Sequence, residues 1–240
     1  MTQAATSIKT IDTTLPSEGA SPKIPIYARL PQGARRGVVV IHEIFGRQPE
    51  IDGVVDAFAQ RGYAAVAPDL LSHGPHIICL VRAFAAIARG EGAQIEQIRA
   101  TRRWLIANAG LDERHIGLIG FCLGGGFALA AGQGWGAVST NYGDIPPDDV
   151  MRGLGPVIGC YGGRDRMFAK HGAQLQARLQ KLNIECETHT FPEAGHAFLT
   201  SGHHPIAAFI SRPFLRVEYN PEIARAAWER IFAFFDRHLD

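Results

Sequence analysis

The chain has 240 residues, 46% hydrophobic and 20% charged, with a formal net charge of +1. That balance suits one soluble α/β domain over residues 1–240, large enough to bury its core without disulfides, and gives no reason to expect a nucleic-acid or membrane partner. Four widely spaced cysteines, Cys79, Cys122, Cys160 and Cys186, form no C-x-x-C pair, which argues against a zinc site or a disulfide framework.

The opening residues, Met-Thr-Gln-Ala-Ala-Thr, lack a basic region followed by an apolar run, and no apolar stretch approaches a membrane span. A cytoplasmic chain is therefore expected. Ser7 to Thr14 and Ile24 to Leu30 alternate in polarity, each closed by a nearby proline (Pro16, Pro31), and predict an antiparallel pair at a sheet edge. Gly37-Val-Val-Val-Ile-His42 is a continuous β-branched run of the kind a parallel strand covered on both faces needs. The loop Glu43-Ile-Phe-Gly-Arg-Gln-Pro follows, then a helix marked by Ile51, Val54, Val55 and Phe58 and ending near Gly62. Ala64 to Asp69 is the next strand.

Ser72-His-Gly-Pro-His76 reads as a loop, and Ile77 to Ala88 as a helix too apolar to stand free, part of it covering a pocket. Ile95, Ile98, Leu105 and Ile106 define an amphipathic helix through about Ala109, closed by Gly110. Further strands are predicted at Ile116 to Phe121, Ala137 to Gly143, Pro156 to Gly163 and Glu185 to Phe191, with a helix from about Phe168 to Leu182. Thr200 to Asn220 is irregular, and a last helix opens at Pro221, a residue suited to a first helical turn. Strands alternating with helices imply a mostly parallel sheet with helices on both faces.

The most informative segment runs from His115 to Phe127. A buried strand ends at Gly120-Phe121-Cys122 and passes at once into a helix opening with Leu123-Gly124-Gly125-Gly126. Glycines two before and two after a residue on such a turn let strand and helix approach, the mechanics of a Gly-x-Ser-x-Gly nucleophile elbow. With Cys122 at the centre the nucleophile is a thiolate, favoured by the helix N-terminus behind it. Taken alone, Cys122 reads equally well as a buried packing thiol.

In such sheets ligands bind outside the carboxyl ends of the strands. Glu43, Cys122, Asp165 and His196 each follow an apolar strand, and nucleophile, acid, histidine is the chain order of an α/β-hydrolase triad. His196 is the expected base, Asp165 the group that fixes its tautomer, and the backbone N–H groups of Leu123 and Ile44 the expected oxyanion hole. The bland alternatives are a solvated Asp165 between Arg164 and Arg166, a core imidazole at His196, and a Glu43 paired with Arg47. His73 with His76, and His203 with His204, lack a third ligand at recognisable spacing, so no metal is expected.

The motifs His42-Glu43-Ile44-Phe45-Gly46, Ala67-Pro68-Asp69-Leu70, Gly120-Phe121-Cys122-Leu123-Gly124-Gly125, Tyr161-Gly162-Gly163-x-Asp165 and Gly195-His196-Ala197-Phe198 span most of the chain. Together they resemble the dienelactone hydrolase (carboxymethylenebutenolidase) family. The resemblance implies an α/β-hydrolase fold and a cofactor-free, cytoplasmic, usually monomeric enzyme that cleaves a small ester or lactone with a Cys-His-Asp triad. It gives Glu43 the task of holding the resting Cys122 thiol and helping to deprotonate it once substrate binds. Family members that act on dienelactone grip its carboxylate with arginines, one of them shortly after the catalytic histidine; here Thr200 stands at that place, and no arginine follows until Arg212. Arg82, Tyr142, Phe45 and Phe198 are the expected substrate contacts, with Arg212 and Arg216 weaker candidates. The rival readings are a thioesterase or other acyl hydrolase with the same triad, and a non-catalytic member of the fold that binds a small molecule.

Overall fold

A computed structural model describes residues 7–15, 23–201 and 219–240. The predicted edge pair forms as β1 (Ile8–Thr14) and β2 (Pro25–Pro31), antiparallel, with Ile8 opposite Pro31 and Thr14 opposite Pro25. Then follow β3 (Arg36–Ile41), α1 (Pro49–Gln60), β4 (Tyr63–Pro68), α2 (His76–Arg89), α3 (Ala93–Ala109), β5 (Ile116–Phe121), α4 (Leu123–Ala131) and β6 (Ala137–Asn141). The chain continues through β7 (Val157–Gly162), α5 (His171–Lys181) and β8 (Cys186–Phe191) to α6 (Pro221–Leu239). The eight strands make one sheet in the order β1-β2-β4-β3-β5-β6-β7-β8, parallel from β4 through β8. This is the mostly parallel sheet that the alternating pattern predicts, in the arrangement of the α/β-hydrolase fold that the resemblance implies.

The β-branched run of β3 shows why a parallel strand needs apolar residues throughout. Val38 and Val40 pack on the face covered by α1 and α6, while Val39 and Ile41 pack on the face covered by α2, α3, α4 and α5. On the first face Phe58 meets Tyr63, Trp228, Phe232 and Phe235, with ring centroids 5.0–6.1 Å apart. Helix α6 starts where predicted: the Asn220 side chain accepts the N–H groups of Glu222 and Ile223, and Pro221 occupies the first turn.

From β3 the chain passes through α1 to β4 on one side, then returns through α2 and α3 to β5 on the other. The loops after β3 and β5 therefore part at a topological switch point, the place where open parallel sheets hold ligands.

Two elements differ from expectation. Helix α5 begins at His171 rather than Phe168, because Asp165 Oδ1 accepts the N–H groups of Met167 and Phe168 and holds residues 165–168 in a turn. Helix α2 buries only Cys79, Ala83, Ala86 and Ile87, and its Ile77, Ile78, Val81 and Phe84 are exposed. Most of the segment read as irregular, Thr200 to Asn220, lies outside the described residues. No described helix is long and apolar enough to cross a membrane.

Candidate active site

Cys122 follows β5 directly and has φ 54° and ψ −114°, a conformation that costs a non-glycine residue free energy and holds only where surrounding structure imposes it. The two elbow glycines impose it by letting backbone meet backbone. A Cβ on Gly120 would fall 1.9 Å from the Gly124 carbonyl oxygen, and one on Gly124 would fall 2.4 Å from that of Ile41. Asn141, at the end of β6, braces the turn: its backbone oxygen accepts the Cys122 N–H at 3.0 Å, and its Nδ2 donates to the Gly120 carbonyl at 3.0 Å. The Cys122 side chain is half-buried and lines a cavity.

Asp165 and His196 are buried together. Asp165 Oδ2 lies 2.6 Å from His196 Nδ1, while Oδ1 is occupied by the turn amides. Arg164 pairs with Glu193, so Asp165 is no solvated member of a charged loop. The His196 ring packs between Tyr142 and Phe168, with centroids 5.0 and 5.3 Å away. Its Nε2 is buried and has no partner of normal hydrogen-bond geometry among the described residues. Burial lowers the imidazole pKa, but the charge of the adjacent Cys122 sulfur and the bond to Asp165 outweigh it, pushing the value up to about 10. The Cys122 sulfur is therefore a close neighbour of the imidazole.

The Glu43 carboxylate is buried, and its Oε1 accepts from Thr200 Oγ1 at 3.0 Å and from Tyr142 Oη at 3.2 Å. Burial and the Glu43 charge hold the Tyr142 phenol protonated, well above its ordinary pKa, so it remains a donor. Arg47, the partner in the bland reading of Glu43, makes ion pairs with Asp12 and Asp52.

His42 fixes the same loop. Its Nε2 accepts the Leu70 N–H at 2.9 Å, which leaves Nδ1 to carry the proton toward the Glu43 carbonyl at 2.7 Å. Burial lowers its pKa and keeps it neutral. Because a trans peptide aims its C=O and N–H in opposite directions, the Ile44 N–H faces away from His42. The amides of Ile44 and Leu123 make no hydrogen bond among the described residues, and both residues line the cavity with Cys122. Two free donors beside one half-buried sulfur can hold a developing oxyanion.

The cavity has a volume of about 530 Å³. Helix α2, predicted to reach the pocket, contributes Phe84, Ile87 and Ala88. A recess of about 560 Å³ at the amino ends of the strands, bounded by Arg36, Asp112 and His115, has no Cys, Ser or Thr on its wall among the described residues.

The four expected substrate contacts are not brought to the cavity wall. Arg82 is exposed on α2, Phe45 is exposed in its loop, Phe198 is fully buried against Tyr142 and Phe191, and Tyr142 is spent on Glu43. Arg212, Arg216, His203 and His204 lie outside the described residues. Among the described residues no group of three His, Cys, Asp or Glu side chains could hold a metal. Cys160 is buried and its thiol is pushed up to about 12 by burial, in keeping with a packing role, and Cys79 is buried as well. Sequence reading missed the hydroxyl of Thr200 on Glu43, the brace from Asn141 and the pair Asp144–His171 on the cavity wall. Position offered a signal for Asn141 alone, at the end of its own strand beside the elbow.

The comparisons with known proteins agree with this geometry. The Dienelactone hydrolase family matches residues 24–239. A Yersinia pestis protein named "Putative carboxymethylenebutenolidase" is 28% identical over 95% of this chain and 88% of its own, and a Rhodococcus opacus "Carboxymethylenebutenolidase" is 28% identical over 92% and 88%. Among solved structures, a "Putative Dienelactone Hydrolase" from Klebsiella pneumoniae superposes with a TM-score of 0.76 and 25% identity, covering 96% of this chain and 99% of its own. With a family match over nearly its whole length and an α/β-hydrolase sheet, the chain belongs to the dienelactone hydrolase family, hydrolases of esters and lactones.

Proposed function

We propose that this protein hydrolyses a small carboxylic ester or lactone through a thioester acyl-enzyme on Cys122. One observation carries the reading: a buried 2.6 Å bond between Asp165 and His196 stands beside a cysteine held at positive φ on a strand-to-helix turn. In the resting enzyme Glu43 holds the Cys122 thiol, the role that the family resemblance implies. On substrate binding His196 Nε2 takes the thiol proton, helped by the Glu43 carboxylate, the imidazolium so formed is held by the thiolate charge beside it, and Cys122 Sγ attacks the acyl carbon. The carbonyl oxygen becomes an oxyanion held by the Leu123 and Ile44 amides. As the C–O bond to the leaving group breaks, His196 protonates the departing oxygen, which in a lactone remains tethered to the acyl chain. Water, deprotonated by His196, then attacks the thioester carbon, the C–S bond breaks, and the carboxylic acid leaves with Cys122 restored. Asp165 keeps the imidazole in the tautomer that presents Nε2 to the sulfur and stabilises the imidazolium.

Alkylation of the folded chain with a thiol-directed reagent tests the reading. Complete labelling of Cys122 should abolish hydrolysis of an activated ester, and a bound substrate analogue should protect both label site and activity. Full activity after complete labelling would leave Cys122 as a packing residue.

A further inference from the structure

The cavity beside Cys122 is lined by apolar side chains, among them Ile44, Phe84, Ile87, Ile145, Met167 and Phe168. Among the described residues the one carboxylate on its wall is Asp144, whose Oδ1 meets Nε2 of His171, also on the wall, at 3.3 Å. No arginine or lysine lines it among the described residues. Arg178, whose charge reaches Asp144, is held by Asp148 and the Pro146 carbonyl, and Arg82 is exposed on α2. The bond from His171 holds the Asp144 carboxyl below its ordinary range, so Asp144 carries its charge at neutral pH. At the place where a carboxylate-gripping arginine would follow the histidine, Thr200 is buried and turned to Glu43.

A substrate carboxylate entering this space would lose its water, find no guanidinium fork among the described residues to replace it, and face the Asp144 carboxylate. An uncharged acyl chain would exchange water for apolar wall. A volume of about 530 Å³ is within the range of cavities that enclose whole small ligands. We infer that the pocket takes a neutral, apolar acyl group, and that Asp144 is a specificity-determining residue that excludes anionic esters. Attraction to the wanted substrate and repulsion of the unwanted one are thus built from different residues. This inference rests on Cys122 being the site of attack, since that places the cavity at the acyl carbon.

The test uses the full chain and matched p-nitrophenyl esters of equal chain length, one ending in a methyl group (hexanoate) and one in a carboxylate (adipate). Wild type should favour the neutral ester in kcat/KM by about 100-fold, from the missing clamp and the like charge together. D144N should narrow that ratio by about tenfold through the carboxylate ester, leaving the neutral ester within about twofold. F84R changes an exposed cavity residue and should raise kcat/KM for the carboxylate ester alone by about tenfold, which keeps the test open if D144N does not fold. Equal or better turnover of the carboxylate ester by wild type would overturn the inference, as would a ratio unmoved by D144N, or by F84R where D144N fails to fold. Undiminished turnover of both esters by C122A would instead overturn the acyl-enzyme reading, whatever the preference.

Discussion

Thr200→Val removes one hydroxyl and almost no volume, so it isolates the hydrogen bond to Glu43. That bond spans 3.0 Å to the carboxylate oxygen that Tyr142 also serves, and both Glu43 and Thr200 are buried. A hydrogen bond to a charged group contributes about 1.5–3 kcal/mol, and removing this donor leaves Tyr142 to serve a buried oxygen that water cannot readily reach. For a chain of this size each kcal/mol moves the unfolding midpoint by about 2–4 °C, so thermal unfolding at neutral pH should fall by about 3–12 °C. Thr200→Ser keeps the hydroxyl and loses one buried methyl, a cost of about 1 kcal/mol. The rank order decides the matter: the Ser variant should be the more stable, and should keep the kcat that the Val variant loses as Glu43 drifts from the sulfur. A Val variant as stable and active as wild type, with the Ser variant weaker, would mean that Thr200 serves packing and leaves Glu43 to others.

Other consequences follow from the same geometry. Asp165→Asn keeps an acceptor for the Met167 and Phe168 amides but removes the charge behind His196; kcat/KM for an activated ester should fall by about 100-fold or more with the fold intact by circular dichroism. Gly124→Ala drives a Cβ to 2.4 Å from the Ile41 carbonyl and should cost about 3 kcal/mol or more in urea unfolding. Gly53→Ala, with nothing within 4 Å and inside α1, should instead gain up to about 1 kcal/mol, and two similar losses would refute the elbow argument. The His196 pKa sits above its ordinary value, so the folded chain binds that proton more tightly than the unfolded one. Its contribution to stability is complete below about pH 6.5 and lost as pH rises toward about 10. Cys122→Ala removes the neighbouring charge and should flatten that limb, lowering the His196 pKa in an imidazole NMR titration.

Much of this site was legible because parallel sheets write it in a readable form. Cys122, Asp165, His196 and Glu43 each follow an apolar strand, and the strand ends gather at one edge whatever lies between them. The elbow was legible because close backbone contact tolerates only glycine at positions 120 and 124. What escaped were contacts between side chains remote in sequence. Thr200 meets Glu43 across 157 positions, and nothing in the residues around Thr200 marks it as a carboxylate donor rather than a loop residue. Tyr142 and Phe198 are aromatic and lie at or near strand ends that lead to the site, so they read as substrate contacts; both rings are fully buried, Tyr142 against His196 and Phe198 against Phe191. Helix α2 was legible as a pocket element, but periodicity gave no warning that Ile77, Ile78 and Val81 stay exposed.

The central claim is a covalent bond to Cys122, and the most direct measurement is mass spectrometry of the full chain quenched in acid during turnover of an activated neutral ester. The account predicts an added mass equal to the acyl group, mapped to the peptide bearing Cys122, released by hydroxylamine and absent from Cys122→Ala. Steady turnover by Cys122→Ala, or an acyl group trapped on another side chain, would contradict it.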